Sequence, residues 1–189
     1  MSKCRIINGQ FHRRFIKAPD TKSTRPTSDI VKQSLFNTLI HRFQIDFSKY
    51  CVFDCFAGSG SLGIEAISLG CQLGLFIDSN LIAIKCLGEN IRSLQIEKFA
   101  KLKYSKIESI RDNYFLKFSD SFEYVLLFLD PPYKEKLLLL SLFDRLKSIF
   151  FKKKWIIVIE TDDNIFDGAE FLVHKSKFGS TFINIFKNF

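Results

Sequence analysis

Asp130-Pro131-Pro132-Tyr133 brings a carboxylate, two prolines and an aromatic ring together in four positions. Each proline locks φ and removes an N–H, so the turn is stiff. A stiff turn carrying one acid and one ring suits the grip of a planar group with an exocyclic NH2. The nitrogen of such a group is a poor nucleophile, because its lone pair is delocalised into the ring. The Asp130 carboxylate and the Pro131 carbonyl can each accept one N–H, draw the nitrogen towards sp3 geometry and expose the lone pair. Tyr133 can stack on the base, an interaction worth about 1–3 kcal/mol. An electrophilic methyl must then lie in line, about 3–3.5 Å from the nitrogen. Asp130 need not be a strong base, since the methylated cationic product sheds its proton readily. The bland alternative is a surface turn, which Asp-Pro and Pro-Pro also mark.

The tetrapeptide follows an apolar run, Tyr124-Val125-Leu126-Leu127-Phe128-Leu129, that reads as a buried strand. It therefore falls at a strand's C-terminal end, where open α/β sheets place their active sites. A second signal lies upstream. Val52-Phe53-Asp54-Cys55-Phe56-Ala57-Gly58-Ser59-Gly60-Ser61-Leu62-Gly63 reads as strand, glycine turn and helix start. Gly58 and Gly60 permit positive φ and close approach to a ligand. The helix from Leu62 ends at Gly70, a usual residue just past a helix C-terminus. The strand after it, Leu73 to Ile77, ends at Asp78, 18 positions beyond Gly60. An acid so placed reaches ribose hydroxyls in βαβ nucleotide sites. Gly58 to Gly63 also fits G-x-G-x-x-G, so the loop alone does not separate a nicotinamide dinucleotide from S-adenosylmethionine. Asp54, placed to face a cationic amino-acid moiety, and the Asp-Pro-Pro-Tyr turn favour the second. Taken singly, Asp54 also reads as a loop cap and Asp78 as a solvated strand end.

These residues resemble the RsmD family of bacterial 16S rRNA guanine-N2 methyltransferases. The likeness is carried by Asp54-x-Phe56-Ala57-Gly58-Ser59-Gly60-x-Leu62-Gly63-Ile64-Glu65-Ala66 and by Phe128-Leu129-Asp130-Pro131-Pro132-Tyr133. Arg5-Ile6-Ile7-Asn8-Gly9, Thr24-Arg25-Pro26-Thr27-Ser28-Asp29 and Leu35-Phe36-Asn37 extend it. The resemblance implies a class I methyltransferase fold, Rossmann-like with a mainly parallel seven-stranded sheet, and S-adenosylmethionine as donor. It implies one guanine of 16S rRNA as acceptor, in an assembling or assembled small ribosomal subunit. Asp130, Pro131, Pro132 and Tyr133 become the target-amine site. Asp54, Phe56, Ala57, Gly58 and Gly60 become the donor loop, with Asp78 on the ribose and Ser79 beside it. The family usually has Glu where Asp78 stands; the shorter acid still accepts hydroxyl bonds. After the third strand, Leu102-Lys103-Tyr104, many relatives carry an acid or amide for adenine. Here Ser105 occupies that place, so its hydroxyl or the next backbone N–H is the expected substitute.

The chain has 189 residues, a single-domain size, with 28 basic against 20 acidic residues. In the first 25 positions Lys3, Arg5, Arg13, Arg14, Lys17, Lys22 and Arg25 are opposed by Asp20 alone. Such a basic segment is the electrostatic footprint of nucleic-acid binding; a merely solubilising surface is the alternative. Arg5, Arg13, Arg14, Lys17, Arg25 and Thr27 are the candidate RNA contacts. Twenty-two phenylalanines beside many Lys, Ile and Asn follow from biased codon usage as readily as from function. Cys4, Cys51, Cys55, Cys71 and Cys86 form no C-x-x-C pair, which points to a reducing cytoplasm. Three histidines show no ligand spacing, so no metal site is expected. No signal peptide or membrane span is evident, and no obligate protein partner is implied.

Residues 5–18 read as a β-hairpin with Asn8-Gly9 as its tight turn, putting Arg13, Arg14 and Lys17 on a projecting arm. Residues 1–26 thus form a basic arm and connector, and 27–189 the methyltransferase domain. Thr27 or Ser28 caps the next helix, whose buried stripe is Ile30, Val31, Leu35, Phe36, Leu39, Ile40 and Phe43. Arg25 and Thr27 read either as cap and linker or as a lip over donor and target base. Further on, helices at about 79–94, 106–117 and 135–151 alternate with strands at 100–104, 124–129 and 155–160, implying a parallel sheet. Segments 170–175 and 181–186 around Gly179 form a closing hairpin. Three other functions remain open: a DNA adenine-N6 methyltransferase, a non-catalytic RNA-binding assembly factor of the same fold, and a nicotinamide oxidoreductase.

Overall fold

The computed structural model describes residues 3–19, 28–131 and 136–189. A two-stranded antiparallel hairpin, β1 (Lys3–Arg5) and β2 (Phe15–Lys17), precedes the main sheet. Helix α1 (Asp29–Asn37) begins at Ser28, whose side chain accepts the Val31 N–H, and passes into a π-helical turn at Thr38–Arg42. Five parallel strands follow: β3 (Tyr50–Asp54), β4 (Leu73–Asp78), β5 (Ala100–Tyr104), β6 (Tyr124–Leu129) and β7 (Lys154–Thr161). Between them lie α2 (Ser61–Ser68), α3 (Leu81–Leu94), α4 (Asp112–Phe118) and α5 (Lys136–Ile149). The last hairpin, β8 (Leu172–Phe178) and β9 (Thr181–Lys187), turns at Gly179 with φ +60°. It joins the edge through an antiparallel β7–β9 pair.

The sheet order is β5-β4-β3-β6-β7-β9-β8. The chain builds outward from β3 to β5, then returns to build the other way from β6. The crevice beyond the C-terminal ends of β3 and β6 is therefore the topological switch point, where ligands bind in open α/β sheets. Strands β3 and β6 are nearly continuous apolar runs because helices cover both their faces. Phe36 of α1 packs on Phe128 of β6 with ring centroids 5.9 Å apart. Helices α1, α2 and α3 cover one face, with Val52, Phe76 and Phe128 beneath them. Helices α4 and α5 cover the other, with Phe53, Leu75 and Leu127 beneath them. All five cysteines are free thiols. Among the described residues no helix is long and apolar enough to cross a membrane.

Four expectations change. The hairpin is not a projecting arm. Cys4, Ile6, Ile16 and Ala18 are buried and belong to the core beneath α2 and α3. Asn8-Gly9 is not a two-residue turn, because Gly9 (φ +76°) opens a short 3-10 turn, Gly9–Phe11, within a longer loop. That loop lies so close to α2 that a Cβ on Gly9 would stand 2.0 Å from the Ser68 carbonyl oxygen. Finally, Ile30 leaves the expected apolar stripe and is 71% exposed, while Lys32 takes a buried place on the helix. The expected helix at 106–117 is split into a 3-10 turn at Ile107–Ser109 and α4.

Candidate active site

Four acids mark the C-terminal edge of the parallel strands. Asp54 ends β3 and Asp78 ends β4, while Glu160 stands in the last turn-ward part of β7. Asp130 follows β6 directly. The register pairs Asp54 with Phe128 and with Phe76, so Asp78 and Asp130 each lie two residues beyond the level of Asp54 on neighbouring strands. The sequence-predicted donor acid and acceptor acid are thereby brought to the two sides of the switch-point crevice. Pro131 is buried and Asp130 half-buried. Pro132 and Tyr133, and the proposed lip residues Arg25 and Thr27, lie outside the described residues.

The glycine loop leaves β3 with its backbone tied to both neighbouring strands. Cys55 N–H donates to Phe128 O at 3.0 Å, and Ala57 N–H to Ile77 O at 2.9 Å. Gly58 and Gly60 have φ +53° and +80°, as expected of the loop. Their roles differ. A Cβ on Gly60 would meet Leu87 Cδ1 at 2.4 Å, and one on Gly63 would meet Phe76 Cε1 at 2.3 Å. Those two glycines let the loop and helix settle on their neighbours. A Cβ on Gly58 would meet nothing within 4 Å. Gly58 therefore borders open space, which fits a loop whose backbone closes on a ligand. Phe56 is half-buried against the α4–α5 core, and Ala57 is buried.

Asp78 holds this loop as well as facing the edge. Its Oδ2 accepts Gly58 N–H at 2.8 Å, and its Oδ1 accepts Asn80 N–H at 2.7 Å. Both oxygens keep lone pairs for ribose hydroxyls, since a carboxylate has about four acceptor sites. Ser79 is exposed beside it. Ser105 N–H donates to Asp78 O at 3.0 Å, and its hydroxyl donates to Lys106 O at 3.0 Å. Ser105 thus sits next to Asp78, but its own N–H is committed to the strand.

Asp54 is 3% exposed and accepts the Gly63 N–H at 3.0 Å. It fixes the start of α2 from below. Burial pushes its carboxyl up to about 7; the Gly63 N–H pulls it down and the Asp78 charge pushes it up. The folded value lies above the unfolded value of roughly 3.9. The protonated form therefore belongs to the folded state, and its stabilisation is complete below about pH 4 and lost as pH rises through about 7. Asp54→Asn keeps an acceptor for Gly63 and carries no charge. It is expected to be more stable than the parent at pH 8, by about 2–4 kcal/mol, and near parity at pH 4. Urea unfolding at the two pH values checks this; a variant destabilised equally at both would show that the native carboxylate is ionised and well paired.

Three residues that sequence reasoning did not single out for a role hold the site's framework. Lys32 (1% exposed) and Glu65 (0%) form an ion pair at 3.5 Å. Glu65 also accepts Ile7 N–H at 3.0 Å and Asn8 N–H at 2.5 Å, and Lys32 donates to Arg5 O. Asn90, 1% exposed, bonds both β2 and the glycine loop. A signal was present. Lys32 and Asn90 each fall at helical spacing on an apolar stripe, with Leu35 and Leu39 or with Ala83, Leu87 and Leu94. A polar residue there must find a buried partner.

The family model described as conserved hypothetical protein 95 matches residues 4–187. The chain belongs to this family, the RsmD family. A putative rRNA methyltransferase, YlbH of Bacillus subtilis, is 35% identical over 97% of this chain and 98% of its own. A ribosomal RNA small subunit methyltransferase D of Buchnera aphidicola subsp. Acyrthosiphon pisum is 32% identical over 82% of this chain and 73% of its own. Among solved structures, a putative methyltransferase of Escherichia coli, yhhF, superposes with a TM-score of 0.73 at 25% identity, covering 99% and 98% of the two chains. The family model thus spans the chain from the hairpin to the last strand, and the sheet with its crossing order is the class I methyltransferase fold.

Proposed function

We propose that this protein transfers a methyl group from S-adenosylmethionine to the exocyclic N2 amine of a guanine in 16S rRNA. One observation carries the reading: Asp54 with its glycine loop and Asp130 with Pro131 stand at the C-terminal ends of adjacent strands, at the switch point. The donor supplies an electrophilic methyl. Gly58, Asp78 and Asp54 are the residues to hold it: the first through its open backbone, the second by accepting the ribose hydroxyls, the third through its buried carboxyl. The Asp130 carboxylate and the Pro131 carbonyl each accept a hydrogen bond from one amine N–H and expose the lone pair, and the methylated cationic nitrogen then sheds one proton. Tyr133 stacks on the base, which must leave any helical stack at a cost of a few kcal/mol. The rRNA names of two relatives support the substrate class.

The hairpin is the proposed RNA contact, with salt-dependent grip on phosphates. Its cations are not equally available. Arg5 pairs with Asp29 at 3.1 Å, Lys17 with Glu89 at 2.6 Å, and Arg14 donates to Ser93 O at 2.8 Å. Arg13 is exposed, held at φ 68°, and its guanidinium has no such partner among the described residues. It is the first candidate for a phosphate. A small-subunit substrate in turn places the enzyme in the cytoplasm.

The deciding experiment incubates the protein and labelled donor with small-subunit particles from cells lacking it, with naked rRNA and with genomic DNA. Methyl recovered as N2-methylguanosine at one rRNA position is the expected result. Label on adenine N6 of DNA, or none with any substrate, would overturn the proposal. Arg13→Glu is expected to weaken RNA binding by about tenfold at low salt and to leave S-adenosylhomocysteine affinity unchanged; equal losses in both titrations would remove the hairpin from RNA recognition.

A further inference from the structure

The glycine loop has two glycines whose freedom must be restrained if the backbone is to be ready for a ligand. The Ser59–Gly60 peptide is held at both ends. Gly60 N–H donates to Ala57 O at 2.6 Å, and Ser59 O accepts Asn90 Nδ2 at 3.0 Å. Asn90 comes from α3, one turn beyond Leu87, the side chain against which Gly60 rests. The apolar and polar halves of the loop's floor are thus neighbours on one helix face. Asn90 then reaches past the loop to the hairpin. Its Oδ1 accepts Lys17 N–H at 2.8 Å, and its Nδ2 also donates to Lys17 O at 2.9 Å. A second, weaker tie joins the same two parts, with Cys4 Sγ 3.9 Å from Ser59 Oγ.

We propose that Asn90 is a positioning residue for the donor loop and that, through it, strand β2 of the N-terminal hairpin is energetically coupled to donor binding. The inference rests on the donor site described above. It adds that the hairpin is part of the machinery that sets donor affinity as well as a surface for RNA. Reciprocity follows: whatever orders β2 tightens the donor loop, and donor binding orders β2 by the same factor. Ligand-dependent order of this kind needs no change of shape.

The test separates positioning from general stability. Asn90→Ala removes the bridge, while Leu94→Ala, on the same helix and 3% exposed, creates a cavity but removes none of the bridge's hydrogen bonds. S-adenosylhomocysteine binding is measured by calorimetry alongside thermal melting. Asn90→Ala is expected to weaken binding about tenfold, and Leu94→Ala to leave it within about twofold at a comparable or larger fall in Tm. Equal affinities in the two variants would overturn the proposal. Should Asn90→Ala not fold, hydrogen exchange of the parent decides. Adding S-adenosylhomocysteine should slow exchange of the Lys17 amide more than that of the Ile6 amide, which donates to Arg14 O at 2.8 Å farther up the hairpin. Equal slowing of both amides would also overturn it. A parent protein that binds no S-adenosylhomocysteine would instead sink the functional reading.

Discussion

Asp130→Ala is expected to lower kcat by at least about 10²–10³-fold, the usual effect of losing one preorganised polar contact to a reacting group. Affinity for S-adenosylhomocysteine should stay within about threefold, because the proposed contact is made to the acceptor and realised in the transition state. The separation of roles follows from the sheet. Asp130 stands on the β6 side of the crevice, whereas Gly58, Asp54 and Asp78 belong to β3, β4 and the loop between β3 and α2. Asp130→Asn keeps one carbonyl acceptor and should retain more activity than the alanine variant. Single-turnover methylation and calorimetry on the same preparations read the two effects independently. A large loss of donor-product binding with Asp130→Ala would place this carboxylate in the donor site and remove the proposed division between the two strands.

The placement of much of this candidate site was legible because its signals are local. A glycine pair after an apolar strand, an acid at the end of the next strand and a Pro-rich acidic turn each need only a few consecutive residues. The β3–β7 strands were legible for the same reason, since each is a short apolar run between turn residues. The hairpin's docking was not, and the cause is specific. On α2 the polar residues Ser61, Glu65 and Ser68 recur at helical spacing, a stripe that periodicity alone assigns to solvent. All three are buried. The loop between β1 and β2 covers two of them: Ile7 and Asn8 N–H donate to Glu65, Phe11 N–H donates to Ser68 Oγ, and Ser68 Oγ donates to Asn8 O at 2.6 Å. A polar stripe can thus be an interface for another segment's backbone, and nothing within the helix's own sequence distinguishes that from exposure to water. Basic residues at 13, 14 and 17 suggested an arm because charge was visible while the contacts of the backbone between them were not.

Lys32→Met is expected to be the most destabilising single change away from the crevice, by about 3–5 kcal/mol at pH 8, because it strands a buried carboxylate. Glu65 keeps its bonds from Ile7 and Asn8 N–H but loses the one cation against it among the described residues. Burial already raises the Glu65 carboxyl, against the opposing pull of Lys32 and the two N–H groups. Removing Lys32 raises it further. The group's protonated form is then the one the fold tolerates, so the stability it contributes is present at low pH and lost as pH rises through the raised folded value. The penalty of Lys32→Met should therefore shrink markedly at pH 5. Glu65→Gln in the same background removes the stranded charge while keeping an acceptor for the hairpin N–H groups. It should recover part of the loss at pH 8 and little at pH 5, a coupling that a double-mutant cycle isolates. Urea unfolding of the four proteins at both pH values measures every term. A pH-independent penalty below about 1 kcal/mol would mean that Lys32 contributes as an ordinary surface pair, and that the hairpin is held on α2 by its apolar residues and backbone bonds alone.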